Sequence, residues 1–199
     1  LLTFYFLLLT FYFLLFTSYL FYIFAQLIFM QEKKKIEVCF SPLLYQLYHN
    51  TNANVVVIDV LRATSSICAA FAAGAEKIIP VGTVEDARKF KDAGFVLAAE
   101  RDGNVLDFAD FGNSPFNFTP ERVKGKTIAY STTNGTQAIQ LAKDSKNIII
   151  GAFTNLSEVV KFLEKVHADV ILFCSGWKGR FNLEDSICAG AIAQKLIET

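Results

Sequence analysis

Short apolar runs alternate with amphipathic stretches from residue 36 onward. The apolar runs are rich in Val and Ile, as in parallel strands that are buried on both faces, and the stretches between them follow the helical period. Strands are predicted over Ile36–Phe40, Val55–Val60, Lys77–Val81, Phe95–Ala99, Thr127–Ser131, Asn147–Phe153 and Val170–Cys174. Helices are predicted over Ala63–Ala73, Thr83–Lys91, Gly135–Ala142, Leu156–Val166 and Leu183–Ile197. This alternation predicts an α/β fold, with a mostly parallel sheet and helices on both faces.

Residues 1–29 form a separate apolar leader without any charged residue, Gly or Pro. A helix of this length exceeds the hydrocarbon core of a bilayer, and Lys33, Lys34 and Lys35 follow it, which suits a signal anchor with a cytosolic domain. We favour the alternative that the leader is a translation artefact, because it uses few residue types and the single Met is Met30. Membrane attachment is expected only if the leader is part of the native protein.

Residues 30–199 are expected to form one α/β domain, incomplete at its C-terminal end because the last predicted helix has no capping Gly or Asn. The 19 Lys and Arg residues balance the 19 Asp and Glu residues, which argues against binding nucleic acid. The four cysteines form no CxxC pair, so we expect reduced thiols in a cytoplasmic protein rather than a zinc site. A homo-oligomer is left open.

Polar residues follow five of the predicted strands, at the edge where open α/β sheets bind ligands. Asp59 ends the second predicted strand, where a carboxylate suits Mg²⁺, and Arg62 follows it and could clamp a phosphate. Alternatively, Asp59 only caps the next helix. The five strand ends together predict one site for a small anionic ligand.

A loop of small polar residues joins the fifth predicted strand to a helix. Its hydroxyl and N–H groups predict a site for a phosphate or sulfonate, although a plain helix cap is the alternative. The loop lacks the spacing of an ATP-binding loop. Its residues are Ser131, Thr132, Thr133, Asn134, Gly135 and Thr136.

Charged and amide side chains elsewhere add candidates. Glu100 and Arg101 follow the fourth predicted strand, and Asp185 lies in the first turn of the last predicted helix, where a carboxylate also suits the helix dipole. Asn113 lies in a turn-rich loop and could reach a ligand. Any of these could instead serve only the structure.

Cys174 and Arg180 are separated by five residues, the spacing of phosphatase loops in which a thiolate attacks phosphorus. We favour the other interpretation, in which Cys174 is a buried residue at a strand end and the glycines permit a turn.

These segments occur together, and in this order, in a known family. The chain resembles the 2-phosphosulfolactate phosphatases over about residues 36–199, through VVVIDVLRATSSI, LAAERDG, FGNSP, YSTTNGTQA, GAFTN and CSGWKGRFNLEDSICAGA. The resemblance implies Mg²⁺-dependent hydrolysis of 2-phospho-3-sulfolactate to 3-sulfolactate and phosphate, a step toward coenzyme M. It also implies that family members extend beyond this C-terminus. A non-catalytic α/β module that binds a small anionic metabolite is the alternative.

The implied substrate carries a phosphate ester, a carboxylate and a sulfonate, so it needs local positive charge. We expect this charge from Arg62, Arg101, Lys178 and Arg180.

The mechanism that we expect is metal-assisted phosphoryl transfer. Mg²⁺ would be held by Asp59 with help from Glu100 or Asp185, while Arg62 and the Ser131–Thr136 loop stabilise the transferring group. A water activated by the metal or by Asp185 is the preferred nucleophile, and direct attack by Asp59 or Cys174 is left open.

Overall fold

The computed structural model describes residues 2–29 and 34–198. The chain divides into two units, Leu1–Lys33 and Lys34–Thr199. The first unit contains helix α1 (Leu2–Phe29), whose side chains are described at residue 5 and residues 10–24. Among the described residues, no helix is found that could span a membrane.

The second unit contains eight strands and seven α-helices among its described residues. The strands are β1 (Ile36–Cys39), β2 (Asn54–Ile58), β3 (Lys77–Pro80), β4 (Val96–Arg101), β5 (Asn104–Val105), β6 (Thr127–Ser131), β7 (Asn147–Gly151) and β8 (Val170–Cys174). The helices are α2 (Tyr45–Tyr48), α3 (Ala63–Ala72), α4 (Val84–Asp92), α5 (Pro120–Val123), α6 (Gly135–Leu141), α7 (Leu156–Lys165) and α8 (Leu183–Glu198).

The strands are divided between two four-stranded sheets rather than joined in one. The first sheet has the order β1-β8-β2-β7 and is parallel throughout. The second has the order β3-β6-β4-β5, and only β5 runs antiparallel, as the second strand of a hairpin with β4. The predicted α/β class, with mostly parallel pairing, is therefore confirmed.

Side chains of β2 alternate between two apolar clusters, as expected for a strand that is buried on both faces. Val56 and Ile58 pack with residues of α7 and α8, whereas Val55 and Val57 pack with residues of α2 and α6. Helices therefore cover both faces of the first sheet. The second sheet is covered by α3 and α5 on one face and by α4 on the other.

All predicted strands and helices are present, with ends that differ by at most two residues, whereas β5, α2 and α5 were not predicted. The end of β2 shows why boundaries shift. The N–H groups of Asp59 and Val60 donate to Thr64 Oγ1 and Asp185 Oδ1, so the strand stops at Ile58. Thr64 and Asp185 lie outside the apolar run that predicted an end at Val60, so the run could not reveal these hydrogen bonds.

Candidate active site

A small cavity of about 120 Å³ lies where strands of both sheets end. Asp59 follows β2, and Glu100 is the penultimate residue of β4. Asn134 follows β6, and Trp177 follows β8. Since the carboxyl ends of parallel strands carry ligand sites in α/β folds, this is the expected place for chemistry. The lining residues are Asp59, Leu61, Arg62, Glu100, Gly103, Asn113, Asn134 and Trp177.

Asp59 is held in the sharp turn between β2 and α3. The Thr64 hydroxyl donates to the Asp59 carbonyl at 2.8 Å, and Asp59 Oδ1 accepts from the Ala63 N–H at 3.2 Å. The carboxylate therefore caps α3 with one oxygen, which was the alternative interpretation, and it also lines the cavity. Its other oxygen faces the start of α6, since a Cβ on Gly135 would lie 2.8 Å from Asp59 Oδ2.

The pKa of Asp59 is raised from 3.8 to about 7. Burial is the main cause, and the negative charges of Asp185 and Glu100 add to it, while the N–H groups of Ala63 and Arg62 oppose it. Without a cation, both protonation states of Asp59 are therefore populated near neutral pH. Such a perturbed carboxyl group in a cavity is typical of functional sites.

Glu100 is buried, and several donors already occupy its carboxylate. Oε1 accepts from the Thr133 N–H at 2.7 Å, and Oε2 accepts from the Gly103 N–H at 2.7 Å and from the Thr133 hydroxyl at 3.1 Å. Glu100 thus orders the loop after β6 and the turn after β4, besides lining the cavity.

Most donors of the Ser131–Thr136 loop are used within the protein. The N–H groups of Thr132 and Thr136 donate to each other's hydroxyl oxygens at 3.1 and 3.2 Å, and the Ser131 hydroxyl donates to the Val81 carbonyl at 2.7 Å. Of the six loop residues, the cavity is lined by Asn134. The predicted anion site would therefore draw on Asn134 rather than on the whole loop.

Asp185 is completely buried and joins the ends of β2 and β8. Oδ1 accepts from the Val60 N–H at 2.8 Å, and Oδ2 accepts from the Gly176 N–H at 3.1 Å and from Asn182 Nδ2 at 2.9 Å. Burial raises its pKa. Asp185 is not among the residues that line the cavity. Its contacts are those of a side chain that positions the two strand ends.

The side-chain oxygen of Asn113 is buried next to the cavity. The residue is 7% exposed, lines the cavity, and is held through its backbone carbonyl, which accepts from the Ser66 hydroxyl. Its Oδ1 has no hydrogen-bond partner among the described residues. A buried acceptor without a donor is costly, and a bound cation would satisfy it.

The acidic residues do not form a compact cluster of ligands. No group of three or more His, Cys, Asp or Glu side chains that could hold a metal ion is found within residues 2–29 and 34–198. The cavity nevertheless offers oxygen atoms from Asp59, Glu100 and Asn113. Mg²⁺ takes such hard ligands and keeps several waters, so these residues fit a single Mg²⁺ with few protein ligands.

The four predicted cationic residues have different surroundings. Arg62 lines the cavity, and its guanidinium has no hydrogen bond or ion pair to any described residue. Arg101 Nη1 donates to the Glu100 carbonyl at 2.6 Å and its Nη2 donates to Ser131 Oγ at 2.9 Å, so it braces the strand ends. Lys178 pairs with Asp102, and Arg180 closes a tight turn through its backbone.

Cys174 is fully buried in the apolar cluster between the first sheet and the helices α7 and α8. Burial, with the nearby charge of Asp185, raises the pKa of its thiol to about 12. A thiolate nucleophile needs a lowered pKa and access to substrate, and neither condition is met. The structure therefore supports the interpretation of Cys174 as a buried residue at a strand end.

Three lining residues were not predicted from the sequence: Leu61, Gly103 and Trp177. All lie in loops whose neighbours were candidates, and Trp177 is an exposed aromatic residue in a Gly-bearing loop after a strand. An aromatic residue in a Gly-bearing loop after a strand is legible in the sequence and is a usable signal, because such loops carry binding groups.

The fold is α/β, and the cavity at the strand ends is lined by carboxyl, amide and guanidinium-bearing residues. The chain belongs to the 2-phosphosulfolactate phosphatase family, whose model matches residues 39–199. The predicted family is thereby confirmed.

Curated relatives agree with the family match. A probable 2-phosphosulfolactate phosphatase of Caldanaerobacter subterraneus subsp. tengcongensis is 41% identical over 162 residues, covering 76% of this chain and 67% of the relative. Proteins with the same name from Thermotoga petrophila and Clostridium novyi are 47% and 42% identical, over 71% and 74% of this chain. The chain spans 61% and 64% of the length of these two relatives.

Proposed function

We propose that this chain hydrolyses 2-phospho-3-sulfolactate to 3-sulfolactate and inorganic phosphate, with Mg²⁺ as cofactor, in the cytoplasm and as part of the biosynthesis of coenzyme M-type sulfonates. The observation that carries the proposal is the cavity at the strand ends. It brings together Asp59, Asn113 and Arg62 in a member of this family, and among the described residues the Asn113 Oδ1 and the Arg62 guanidinium have no hydrogen-bond partner.

In this proposal, Asp59 and Asn113 hold the cation, and Glu100 supports the site by ordering the surrounding loops. When bound, Mg²⁺ neutralises charge on the phosphate oxygens. The buried position of both ligands keeps their oxygens in place before substrate arrives, which favours electrostatic stabilisation of a transition state.

Arg62 binds the phosphate oxygens of the substrate. A guanidinium donates two parallel hydrogen bonds to such a group, and its charge stabilises the transferring phosphoryl group. Arg62 suits this role because it lines the cavity and its guanidinium forms no ion pair with any described carboxylate. The Asn134 amide, which belongs to another lining residue, orients the ester.

Water is the proposed nucleophile. Its oxygen forms a bond to phosphorus as the bond to the ester oxygen breaks, and the proton that water loses ends on the hydroxyl of sulfolactate. Asp185 is not proposed as the base, because its two oxygens accept three hydrogen bonds from protein groups. Trp177 and Leu61 line the cavity, are both exposed, and in this proposal limit the access of other water.

The test is phosphate release from 2-phospho-3-sulfolactate by the purified 199-residue chain. Activity is expected with Mg²⁺, lost in EDTA, and restored when Mg²⁺ is added back. Arg62→Met and Asp59→Asn are each expected to lower kcat/KM by about 10²-fold or more. The control is Asp86→Asn, which removes an exposed carboxylate of α4 and should leave activity unchanged. Absence of turnover by folded, Mg²⁺-loaded wild type would refute the activity, and full turnover in EDTA would refute the cofactor.

A binding module is the second candidate function. It is favoured by charged groups near the cavity that already form hydrogen bonds within the protein, among them the Glu100 carboxylate and the Arg101 guanidinium. Calorimetric binding of the phosphoester without any release of phosphate, with Mg²⁺ present, would identify the chain as such a module.

A further inference from the structure

Two tight turns, one from each sheet, flank the cavity. Asp102 and Gly103 connect β4 to β5, while Lys178 and Gly179 lie between Trp177 and Arg180, whose backbones exchange hydrogen bonds of 2.9 and 3.0 Å. Gly103 and Trp177 line the cavity, so both turns stand at its rim.

An ion pair joins the tips of these turns. Lys178 Nζ lies 2.8 Å from Asp102 Oδ1, and the two side chains are 54% and 57% exposed. The Lys178 ammonium also lies 5.7 Å from the centre of the Trp177 ring, which belongs to the cavity wall. The pair thus bridges the two sheets at the boundary between the cavity and solvent.

The backbone of each turn is fixed to the loop after β6. The Asp102 N–H donates to Thr133 Oγ1 at 2.8 Å, and the Lys178 N–H donates to Asn134 Oδ1 at 3.0 Å. Each turn is therefore held from its base by a backbone hydrogen bond, while the charged side chains at the two tips pair with each other.

Asp102 and Lys178 share an unusual backbone conformation. Their φ angles are +53° and +50°, and within the described chain they are the non-glycine residues with positive φ. Asp tolerates this region, whereas Lys rarely adopts it, and such conformations cluster at ligand clamps. The positive φ angles carry a conformational cost. An exposed ion pair stabilises a protein too little to offset this cost, so stability alone does not explain the two conformations.

We propose that Asp102 and Lys178 form a gate at the cavity rim, in which Asp102 holds Lys178 until the anionic substrate displaces the carboxylate and takes the ammonium. This inference rests on the proposed function for the identity of the ligand. Asp102 then acts as an internal competitor of the substrate, and Lys178 is a specificity residue for a second anionic group beyond the phosphate. An exposed pair is weak enough to exchange partners in this way.

The test compares steady-state hydrolysis by three variants of the full chain. Asp102→Asn frees the ammonium and is expected to lower KM, whereas Lys178→Gln removes it and is expected to raise KM, each by about two- to fivefold with little change in kcat. Lys178→Arg keeps the charge and should hold KM near the wild-type value. Asp86→Asn, which breaks the exposed pair of Asp86 with Lys89 on α4, is the matched control and should leave KM unchanged.

The direction of the KM changes decides between a gate and a structural brace. If the pair only braces the rim, both neutral variants weaken binding in the same direction, and this result would overturn the proposal, as would unchanged KM in both. Calorimetric titration with 3-sulfolactate measures the same changes without turnover. If wild type releases no phosphate, the proposed function fails. The affinities for sulfolactate still test the gate, because opposite changes in the two neutral variants support it and changes in the same direction overturn it.

Discussion

Three buried carboxylates near the cavity differ in how completely the protein satisfies them. Glu100 and Asp185 each accept three hydrogen bonds, whereas the donors to Asp59 are the N–H groups of Ala63 and Arg62. Burying a charge is costly unless donors compensate, and at Asp59, where fewer donors do so, burial raises the pKa to about 7. The same deficit leaves Asp59 free to bind a cation or a proton.

Asp59 makes the stability of the protein depend on pH. Its pKa in the folded state, about 7, lies above the ordinary 3.8, so its stabilising contribution is present below about pH 4 and lost as the pH rises through 7. Asp59→Asn is therefore expected to be more stable than wild type at high pH, by up to about 4 kcal/mol, and the difference should shrink toward acid. Urea unfolding in EDTA across this range measures the difference. A difference in stability that is independent of pH would contradict the prediction. The control is Asp86→Asn: because the pKa of the Asp86 carboxyl is lowered, its removal should not stabilise the protein at high pH.

Asp185 is expected to matter for stability. Asp185→Ala leaves the buried N–H groups of Val60 and Gly176 without acceptors and should lower the free energy of unfolding by about 2–5 kcal/mol. Glu184→Ala, in the same turn of α8 but partly exposed, should cost less than about 1 kcal/mol. Equal stabilities of the two variants in chemical denaturation would show that Asp185 is not a structural tie.

At the scale of elements, the starts of α3 and α6 meet beside Asp59. The contact requires Gly135, since a Cβ there would lie 2.5 Å from the Ala63 Cβ. Helix starts that approach this closely fix the wall of the cavity by backbone packing. The cavity wall is thus set by where two helices begin, and a single methyl group is enough to disturb it.

Gly135→Ala is expected to reduce both stability and activity. The new methyl group must push α6 from α3 and from the Asp59 carboxylate, at a cost of about 1–3 kcal/mol. Gly190→Ala is the matched control, because a Cβ on this exposed residue of α8 meets nothing within 4 Å and should stabilise the helix by up to about 1 kcal/mol. Thermal unfolding and phosphate release report both effects. Parallel behaviour of the two variants would contradict the close packing.

Cys174 lies at the end of β8 and is expected to be dispensable for chemistry. Cys174→Ser should keep kcat within about threefold of wild type, because the thiol lies in an apolar cluster rather than in the cavity. The buried hydroxyl should lower the melting temperature. An inactive variant that is folded and binds Mg²⁺ would instead establish a thiolate mechanism.

For the molecule as a whole, the cavity depends on both sheets. Asp59 and Trp177 come from the ends of the first sheet, and Glu100 and Asn134 from the ends of the second. Helix α3 connects the sheets, because its residues belong to the core of the second and also contact β7 of the first. A ligand in the cavity therefore stabilises the joint packing of the two sheets.

Mg²⁺ is expected to stabilise the whole domain. A cation at 100 times its dissociation constant adds about 2.7 kcal/mol to the free energy of unfolding, so the melting temperature of wild type should rise. Asp59→Asn and Asn113→Ala should lose this shift, whereas Asp86→Asn should keep it. A shift of equal size in all of these proteins, measured by calorimetry, would place the cation elsewhere.

The amino-acid sequence by itself determined the order and type of the elements, the α/β class and the family. It also pointed to Asp59, Arg62, Glu100, Asn113 and Asn134, all of which line one cavity. These inferences rest on local properties, namely the period of apolar residues and the polar residues that follow strands, and such properties are legible along a chain.

The tertiary structure alone decided how the strands divide between two sheets and which charged groups are free. Asp185 is satisfied by the N–H of Val60, 125 residues away, and Glu100 by Thr133, 33 residues away, while Lys178 meets Asp102 across the rim. A carboxylate looks the same in the sequence whether or not donors surround it. Its role depends on partners that only folding brings within hydrogen-bond distance, and burial then sets the energetic difference between an anchor and a reactive group.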